Sequence, residues 1–255
     1  MIQLIKQIRV LQDKYQMKST KKKSRRSQEF SMENSPKTFG SGDILSFLPK
    51  NERQNEFWET MLTHTVTIAH GCAGTGKTLL GLWLGLLEVS DRYYDKVVYV
   101  RSDVGVENQR GRGAVKGDLN EKMAPLLYPI MDNLSVITKS QGAADYLLRK
   151  GVIEPVLLED IRGRSLNRSF ILVDECQNFT KEQLKTVLTR VGSESKITLV
   201  GDTSQIDLDV FRRNNGLVDA IQRLGHLEEV GVVYFSPEDI VRNGVLAHII
   251  REYER

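Results

Sequence analysis

Short runs rich in β-branched and aromatic residues recur along the chain, separated by longer segments with apolar residues at helical spacing. The short runs predict strands and the longer segments predict helices. The predicted strands lie at 65–70, 96–101, 169–175, 196–202 and 230–235, and the predicted helices at 47–62, 77–90, 142–150, 181–191 and from 237 onward. This alternation is typical of an α/β fold, a mostly parallel sheet with helices on both faces. Ligands of such folds bind at the carboxyl ends of the strands.

The same pattern divides the chain into a tail and one domain. Residues 1–45 are basic and poor in apolar residues after an amphipathic start, which predicts a flexible tail with an N-terminal helix. Residues 46–255 are predicted to form a single domain. Within it, residues 104–165 interrupt the alternation of strands and helices, and we interpret them as an insertion that carries substrate contacts.

Charge is distributed unevenly between these parts. Residues 1–26 contain nine Lys or Arg and one Asp, a net charge of +8, whereas the whole chain carries +3, which leaves −5 for the rest. The basic character belongs to the tail, so it is no argument that the core binds nucleic acid. Two interpretations of the tail stay open, a solvated disordered segment and an arm that contacts phosphates nonspecifically.

Composition predicts a soluble protein. The chain has 255 residues, 40% hydrophobic and 27% charged, which is ordinary for a globular domain. Its longest apolar run, within 79–89, is shorter than the roughly 20 residues that cross a bilayer. The first residues lack the separate apolar core of a secretory signal, and two cysteines, Cys72 and Cys176, suit a reducing compartment. We therefore expect a cytoplasmic protein with no membrane partner.

The junction of the first predicted strand and helix carries a phosphate-binding loop. The match to GxxxxGK[ST] consists of Gly71, Cys72, Ala73, Gly74, Thr75, Gly76, Lys77 and Thr78. Glycines allow the backbone N–H groups to surround a phosphate, and the helix start directs its positive end toward the same anion. Lys77 would reach the β- and γ-phosphates of ATP, and the Thr78 hydroxyl would bind Mg²⁺. The alternative is an ordinary glycine-rich connection.

A later apolar strand ends in two carboxylates, Asp174 and Glu175. Adjacent acids at the end of a buried strand are costly without a cation to balance them. Asp174 is therefore predicted to bind Mg²⁺ opposite Thr78, and Glu175 to polarise the attacking water. The alternative is a polar strand terminus without catalytic function.

Three further residues are candidates for nucleotide contacts. Gln205 follows the next strand end, where an amide would sense the γ-phosphate. Gln54 precedes the phosphate loop, and its amide could contact adenine with one donor and one acceptor, or simply be a polar helix residue. Arg242, predicted on the last helix, could stabilise the transferring phosphate in its own chain or in a neighbour, or be a surface arginine.

Arginines in and around the insertion are candidates for contacts with an anionic substrate. They are Arg101, Arg110, Arg112, Arg162 and Arg164. The alternative is that they solvate loop surface or pair with nearby acids such as Asp160.

Several motifs together resemble one family. The segments GCAGTGKT, GDLNEKMAPLLYPIMDNL, RGRSLNRSFILVDECQN, LTRVG and GDTSQIDL, in this order, are similar to those of the PhoH family of phosphate-starvation-inducible proteins, ATPases related to superfamily 1 helicases. The resemblance spans about residues 51–253. It implies a RecA-like core, ATP binding and hydrolysis, and a role in RNA metabolism, which makes the arginines above candidates for nucleic-acid contacts.

The resemblance also implies roles for individual residues. Lys77 and Thr78 are assigned to phosphate and Mg²⁺, Asp174 and Glu175 to metal and water, and Gln205 to sensing of the γ-phosphate. The chain departs from the family pattern in GRGAVKGDL, within the insertion, so the resemblance leaves the substrate open.

From these observations we predict a P-loop NTPase that hydrolyses ATP with Mg²⁺ and acts on RNA or single-stranded nucleic acid as a helicase-like motor. A nucleotide-gated module that binds RNA or a partner without unwinding, and a small-molecule kinase, are the alternatives. A single core lacks the second lobe that completes helicase sites, so we expect a homo-oligomeric ring, a hexamer, with an arginine supplied across the interface. Arg242 is the first candidate for that arginine, followed by Arg162 and Arg164.

Overall fold

Six parallel strands form one sheet in the part of the chain that the structure describes. The computed structural model describes residues 43–102, 119–139, 142–206, 213–242 and 244–253, all within one compact unit, Thr38–Arg255. The strands are β1 (Val66–Gly71), β2 (Lys96–Arg101), β3 (Ile153–Leu157), β4 (Ser169–Asp174), β5 (Lys196–Gly201) and β6 (Val230–Phe235). Their order across the sheet is β3-β2-β4-β5-β1-β6. The predicted α/β class with a mostly parallel sheet is confirmed.

Seven helices accompany the sheet among the described residues. They are α1 (Glu52–Thr63), α2 (Lys77–Ser90), α3 (Leu119–Ile137), α4 (Ala143–Arg149), α5 (Lys181–Leu188), α6 (Gly216–Leu224) and α7 (Gly244–Tyr253). Short 3₁₀ turns lie at Leu158–Ile161, Cys176–Asn178 and Pro237–Asp239. None of these helices is long and apolar enough to cross a membrane.

Helices cover both faces of the sheet, as the alternation of side chains along β4 shows. Ile171 and Val173 belong to a buried cluster that includes Leu184 of α5 and Leu217 of α6. Phe170 and Leu172 point to the other face, where α2 lies. Because neither face of β4 contacts water, the strand is a continuous apolar run rather than an alternating one.

Two glycines allow α2 to approach the sheet closely. A Cβ atom at Gly81 would lie 2.8 Å from Leu172 Cδ1, and one at Gly85 would lie 2.8 Å from Phe170 Cδ1. Both separations are shorter than real Cβ contacts, so a larger residue would displace the helix. The amino end of α2, where the phosphate loop ends, is thereby held near β4.

The segment 104–165 contains more regular structure than its sequence indicates. It includes α3, α4 and the strand β3, of which only α4 matches a predicted element. Pro155 lies in β3 and pairs with Tyr99 of β2. Proline in a run argues against a central strand, but β3 is an edge strand that pairs with β2 alone. Residues 1–42 and 103–118 lie outside the described residues, so the tail and the first part of the insertion stay predictions.

The last helix begins later than predicted. The sequence predicts a helix from Pro237, but a 3₁₀ turn ends at Asp239 and α7 begins at Gly244. Asp239 itself closes the turn, since its carboxylate accepts from the Ser236 N–H at 2.9 Å and from the Ser236 hydroxyl at 3.0 Å. Arg242 therefore lies between this turn and α7 rather than on a helix.

Candidate active site

The loop between β1 and α2 is held against the end of β6. Positive φ angles of 113°, 76° and 85° occur at Gly71, Gly74 and Gly76, a conformation that glycine adopts without strain. A Cβ atom at Gly71 would lie 2.0 Å from the Phe235 carbonyl oxygen. The N–H of Cys72 donates to that oxygen at 3.0 Å, and Ala73 is half-buried at the turn. The backbone path of the loop therefore requires glycine where it passes β6.

The Lys77 ammonium group is held inside this loop. Its Nζ donates to the carbonyl oxygens of Gly71 at 2.6 Å and Cys72 at 2.7 Å, and to the Thr75 hydroxyl at 3.2 Å. Burial lowers the pKa of Lys77, and the negative charge of Asp202 and of the other carboxylates of the site opposes this effect. Carbonyl oxygens are weaker acceptors for an ammonium group than phosphate oxygens. The geometry thus leaves Lys77 able to exchange these partners for a phosphate.

A hydrogen bond joins the loop to the acids of β4. The Thr78 hydroxyl donates to Asp174 Oδ1 at 2.9 Å. The same oxygen accepts from the Glu175 N–H at 3.1 Å, and Asp174 Oδ2 accepts from the Tyr99 hydroxyl at 2.5 Å. Every predicted metal-binding atom of the chain therefore lies at one point of the carboxyl edge of the sheet.

Tyr99 was not a candidate on sequence grounds. It is fully buried in β2, and burial together with the nearby Asp174 raises the pKa of Tyr99 well above its ordinary value. The phenol therefore stays protonated and acts as a donor to Asp174. Its position two residues before the end of a strand is the only sequence signal, and this signal has meaning only once β2 is known to lie beside β4.

Glu175 has a backbone conformation that is unusual for a residue other than glycine. Its φ and ψ are 54° and 42°, in the left-handed region, which costs a non-glycine residue about 1–3 kcal/mol. One carboxylate oxygen, Oε1, lies 3.5 Å from Arg101 Nη2. The other, Oε2, accepts from Gln177 Nε2 at 2.6 Å. The carboxylate is therefore held by two side chains from different parts of the sheet edge.

Arg101 lies in this acidic site. Its Nη1 is 3.8 Å from Asp174 Oδ2, in addition to the contact with Glu175. Burial would lower the pKa of Arg101, but the nearby carboxylates outweigh it and raise the pKa, so the guanidinium keeps its charge. The predicted role of Arg101 in nucleic-acid binding stays a prediction, and any nucleic acid would compete with these acids.

The other candidate arginines are dispersed. Arg164 pairs with Glu154 at 2.5 Å, and Arg162 is exposed next to the 3₁₀ turn that follows β3. Arg110 and Arg112 lie outside the described residues. The structure thus brings Arg101 to the phosphate-binding edge of the sheet and leaves Arg164 paired with an acid of the edge strand.

Gln205 lies in the turn that follows β5. Its N–H donates to the Asp202 carbonyl oxygen at 3.2 Å, and its side chain is exposed. Asp202 is buried, and its Oδ1 accepts from the N–H and hydroxyl of Ser204 at 3.0 Å and 2.7 Å. The turn is therefore ordered at its start, while the amide of Gln205 is accessible.

Arg242 lies over the phosphate loop of its own chain. A Cβ atom at Gly74 would be 3.1 Å from Arg242 Cδ, so the arginine stem occupies the space beside this glycine. The adjacent Val241 N–H donates to the Gly74 carbonyl oxygen at 3.2 Å, and Ile240 packs on Cys72. Three successive residues therefore contact the phosphate loop of the same chain.

Gln54 supports the phosphate loop from α1. Its Nε2 donates to the Thr75 carbonyl oxygen at 2.7 Å, and its Oε1 accepts from the Lys50 N–H at 2.8 Å. The side chain is buried, and its nitrogen would lie 3.0 Å from a Cβ at Gly76. Contact with adenine stays a prediction, and it would require this amide to share or change its present partners.

Comparison with known proteins decides the family. A family model described as "PhoH-like protein" matches residues 46–254. The chain belongs to the PhoH family. Protein PhoH2 of Bacillus subtilis is 41% identical over 194 residues, 72% of this chain and 43% of the relative. A PhoH-like protein of Synechocystis is 36% identical over 206 residues, 81% and 62% respectively. Protein PhoH of Escherichia coli is 31% identical over 219 residues, 84% and 60% respectively.

Membership of the PhoH family and the parallel sheet together indicate a RecA-like P-loop NTPase fold. The chain spans 43%, 62% and 60% of the length of these three relatives, so less than two thirds of each is matched. The family assignment thus applies to the domain described above.

The residues of this PhoH domain fit a magnesium ion. Thr78 supplies a hydroxyl and Asp174 a carboxylate, the hard oxygen ligands that Mg²⁺ prefers, and they lie within hydrogen-bond distance of each other. Mg²⁺ typically binds one or two carboxylates and completes its shell with water and phosphate oxygens. A site with few protein ligands beside a phosphate loop matches that chemistry.

The contacts of Gln54 generate a prediction about ligand binding. Replacing Gln54 by Met leaves the Thr75 carbonyl without its donor, so the loop loses a buried hydrogen bond. We expect affinity for ATP and for inorganic triphosphate to fall by the same factor, about tenfold. Isothermal titration calorimetry measures the dissociation constants of both ligands for the wild-type and variant proteins. A loss confined to ATP would show that Gln54 acts on adenine instead.

Proposed function

We propose that this PhoH domain hydrolyses ATP with Mg²⁺. The observation that carries the proposal is the 2.9 Å hydrogen bond between Thr78 and Asp174. It joins the phosphate loop to Asp174 at the end of β4, two positions away in the sheet, and Glu175 follows directly. A glycine-rich connection without function would not need this junction, and family membership supports the same conclusion.

Phosphate binding would change the partners of Lys77. The ammonium now donates to two loop carbonyls and a hydroxyl. The β- and γ-phosphates of ATP offer charged oxygens, to which hydrogen bonds are shorter and stronger. We propose that Lys77 turns to these oxygens when ATP is bound, while the start of α2 contributes its positive end.

Thr78 and Asp174 would hold Mg²⁺ beside the phosphates. A magnesium ion held there would supply positive charge against the negative charge that develops on the phosphates during transfer. In this structure the Tyr99 hydroxyl and the Glu175 N–H already orient the Asp174 carboxylate. We propose that these two donors keep one carboxylate oxygen directed at Thr78.

Glu175 would accept a proton from the attacking water. Its side chain is 38% exposed, so water can reach the residue, and Arg101 and Gln177 limit its rotation. Gln205 would sense the γ-phosphate from the turn after β5. These assignments describe hydrolysis rather than transfer to a metabolite.

Arg242 would stabilise the transferring phosphate within its own chain. Its stem packs on Gly74 and its neighbour Val241 is hydrogen-bonded to the loop. A cation at this position acts on charge that develops on the γ-phosphate. We also propose a homo-oligomeric, hexameric ring, in which Arg242 would act in cis because its stem packs on the phosphate loop of its own chain.

For the polymer acted on, we propose RNA or single-stranded nucleic acid, with ATP hydrolysis driving a helicase-like motor. The second candidate, a nucleotide-gated binding module, is favoured by the engagement of Arg101 and Arg164 with acids. A nucleic acid would have to displace these acids, and such competition can gate binding without movement along a strand.

Nucleic-acid stimulation tests the motor. We expect single-stranded RNA to raise the steady-state rate of ATP hydrolysis by the purified protein. Lys77→Ala should lower the rate by at least about 10²-fold with or without RNA, because a direct phosphate contact is lost. Hydrolysis that RNA does not change, with RNA bound only in the presence of ATP, would support the gated module. Phosphoryl transfer to a metabolite would contradict both.

Mixed oligomers test the source of the arginine. Arg242→Ala should lower kcat about 10³-fold. Co-expression of this variant with Lys77→Ala gives assemblies in which only an arginine supplied across an interface could restore a complete site. We expect no recovery of ATPase activity in the co-purified assembly. Recovery would show supply in trans, and full activity of Arg242→Ala alone would remove this residue from the site.

A further inference from the structure

Gln177 connects two strand ends through one side chain. It lies in the 3₁₀ turn after β4 and is only 2% exposed. Its Nε2 donates to Glu175 Oε2 at 2.6 Å, and its Oε1 accepts from the Asp202 N–H at 3.0 Å. The amide nitrogen therefore bonds to the residue that follows β4, and the amide oxygen to the residue that follows β5.

The orientation of this amide is unambiguous. A backbone N–H can only donate and an ionised carboxylate can only accept, so Asp202 requires the oxygen and Glu175 requires the nitrogen. A reversed amide would lose both hydrogen bonds. Gln177 therefore cannot rotate without disturbing the Glu175 carboxylate and the end of β5 at the same time.

The surroundings of Gln177 hold it in place. The Asn215 side chain donates to the backbone carbonyl oxygen of Gln177 at 3.0 Å. It also accepts from the Val218 N–H at the start of α6. On the opposite side, a Cβ atom at Gly201 would lie 2.7 Å from Gln177 Oε1. The glycine leaves room for the amide, and Asn215 fixes the backbone that carries it.

The partners of Gln177 belong to functionally distinct segments. Glu175 has a left-handed backbone and a partly exposed carboxylate, so the strand alone does not determine where that carboxylate points. Asp202 begins the turn that carries Gln205, whose N–H donates to the Asp202 carbonyl. A shift of this turn would move the Asp202 N–H and, through Gln177, the carboxylate of Glu175.

We propose that Gln177 is a positioning residue that aligns the Glu175 carboxylate with the turn at 202–206 and so couples water activation to the state of Gln205. This inference rests on the proposed ATPase function, in which Glu175 activates water and Gln205 senses the γ-phosphate. Arg101 holds the other oxygen of Glu175 at 3.5 Å, but Arg101 belongs to β2, which is separated from β5 by β4.

A purely structural glutamine would behave differently from a positioning one. Loss of a structural hydrogen bond lowers stability and leaves turnover of the folded protein unchanged. Loss of a positioning contact lowers kcat and leaves ATP affinity unchanged, since the Gln177 amide is hydrogen-bonded to Glu175 and Asp202 rather than to the phosphate loop. The separation of kcat from affinity therefore distinguishes the two roles.

The test compares Gln177→Met with Gln183→Met in the full chain. Gln183 makes an analogous side-chain bond, accepting from the Thr180 N–H at 2.8 Å in the capping box of α5, and it controls for lost stability. We expect Gln177→Met to lower kcat about 10- to 100-fold, the worth of a hydrogen bond to a charged group. Affinity for ATP should change less than about twofold, and Gln183→Met should keep wild-type kcat. Wild-type kcat in folded Gln177→Met would overturn the proposal.

A second substitution at the same position keeps the test possible if Gln177→Met does not fold. Gln177→Glu keeps an oxygen for the Asp202 N–H but places a carboxylate against Glu175. We expect lower kcat with unchanged ATP affinity for this variant too, and wild-type kcat would overturn the proposal.

Coupling to Gln205 is tested by a double variant. If Gln177 transmits the state of the turn, the double variant Gln177→Met/Gln205→Ala should have the same kcat as the less active of the two single variants. Independent effects that multiply would overturn the coupling.

Glu175→Gln distinguishes a failure of this inference from a failure of the proposed function. If Glu175→Gln is inactive but Gln177→Met is fully active, the inference alone fails, whereas wild-type turnover by Glu175→Gln overturns the proposed function together with the inference.

Discussion

The hydrogen bond between the Thr78 hydroxyl and Asp174 is the contact on which the rest of the site depends. β1 and β4 are not neighbours, because β5 lies between them, so their ends are separated by roughly two strand spacings, about 10 Å. The gap is closed by the first turn of α2. Close packing of α2 on β4 through Gly81 and Gly85 brings Thr78 within 2.9 Å of Asp174. The helix that follows the phosphate loop therefore positions Thr78 at the site as well as packing in the core.

Charge balance explains why the acids can lie together at a largely buried edge. Unpaired carboxylates away from water are costly, and here each has several donors. Asp174 accepts from Thr78, Tyr99 and the Glu175 N–H, while Arg101 contributes a positive charge to both acids. Protein donors thus hold these carboxylates, and ordered donors of this kind would reduce the reorganisation that the proposed hydrolysis requires.

The sequence predicted the parts of the site that follow from local pattern, and the structure supplied those that depend on strand order. The loop and the paired acids were visible because each is a short motif at a strand end. Tyr99 and the position of Arg101 were not, since their contacts with Asp174 follow from β2 lying beside β4. The strand β3 was missed because Pro155 weakens its signal. Arg242 was placed on a helix because Pro237 resembles a helix start, whereas Asp239 closes the turn after three residues.

The magnesium dependence of ATP hydrolysis by Thr78 variants tests whether Thr78 and Asp174 form a metal site. Thr78→Ser keeps a hydroxyl for Asp174 and the metal, and Thr78→Ala removes it. We expect the wild-type and serine proteins to reach half-maximal rate at the same free Mg²⁺ concentration. The alanine protein should require at least about tenfold more Mg²⁺, as expected for the loss of about 1.4 kcal/mol of binding free energy, or lose activity. An alanine protein with the wild-type rate and the wild-type Mg²⁺ dependence would contradict the account.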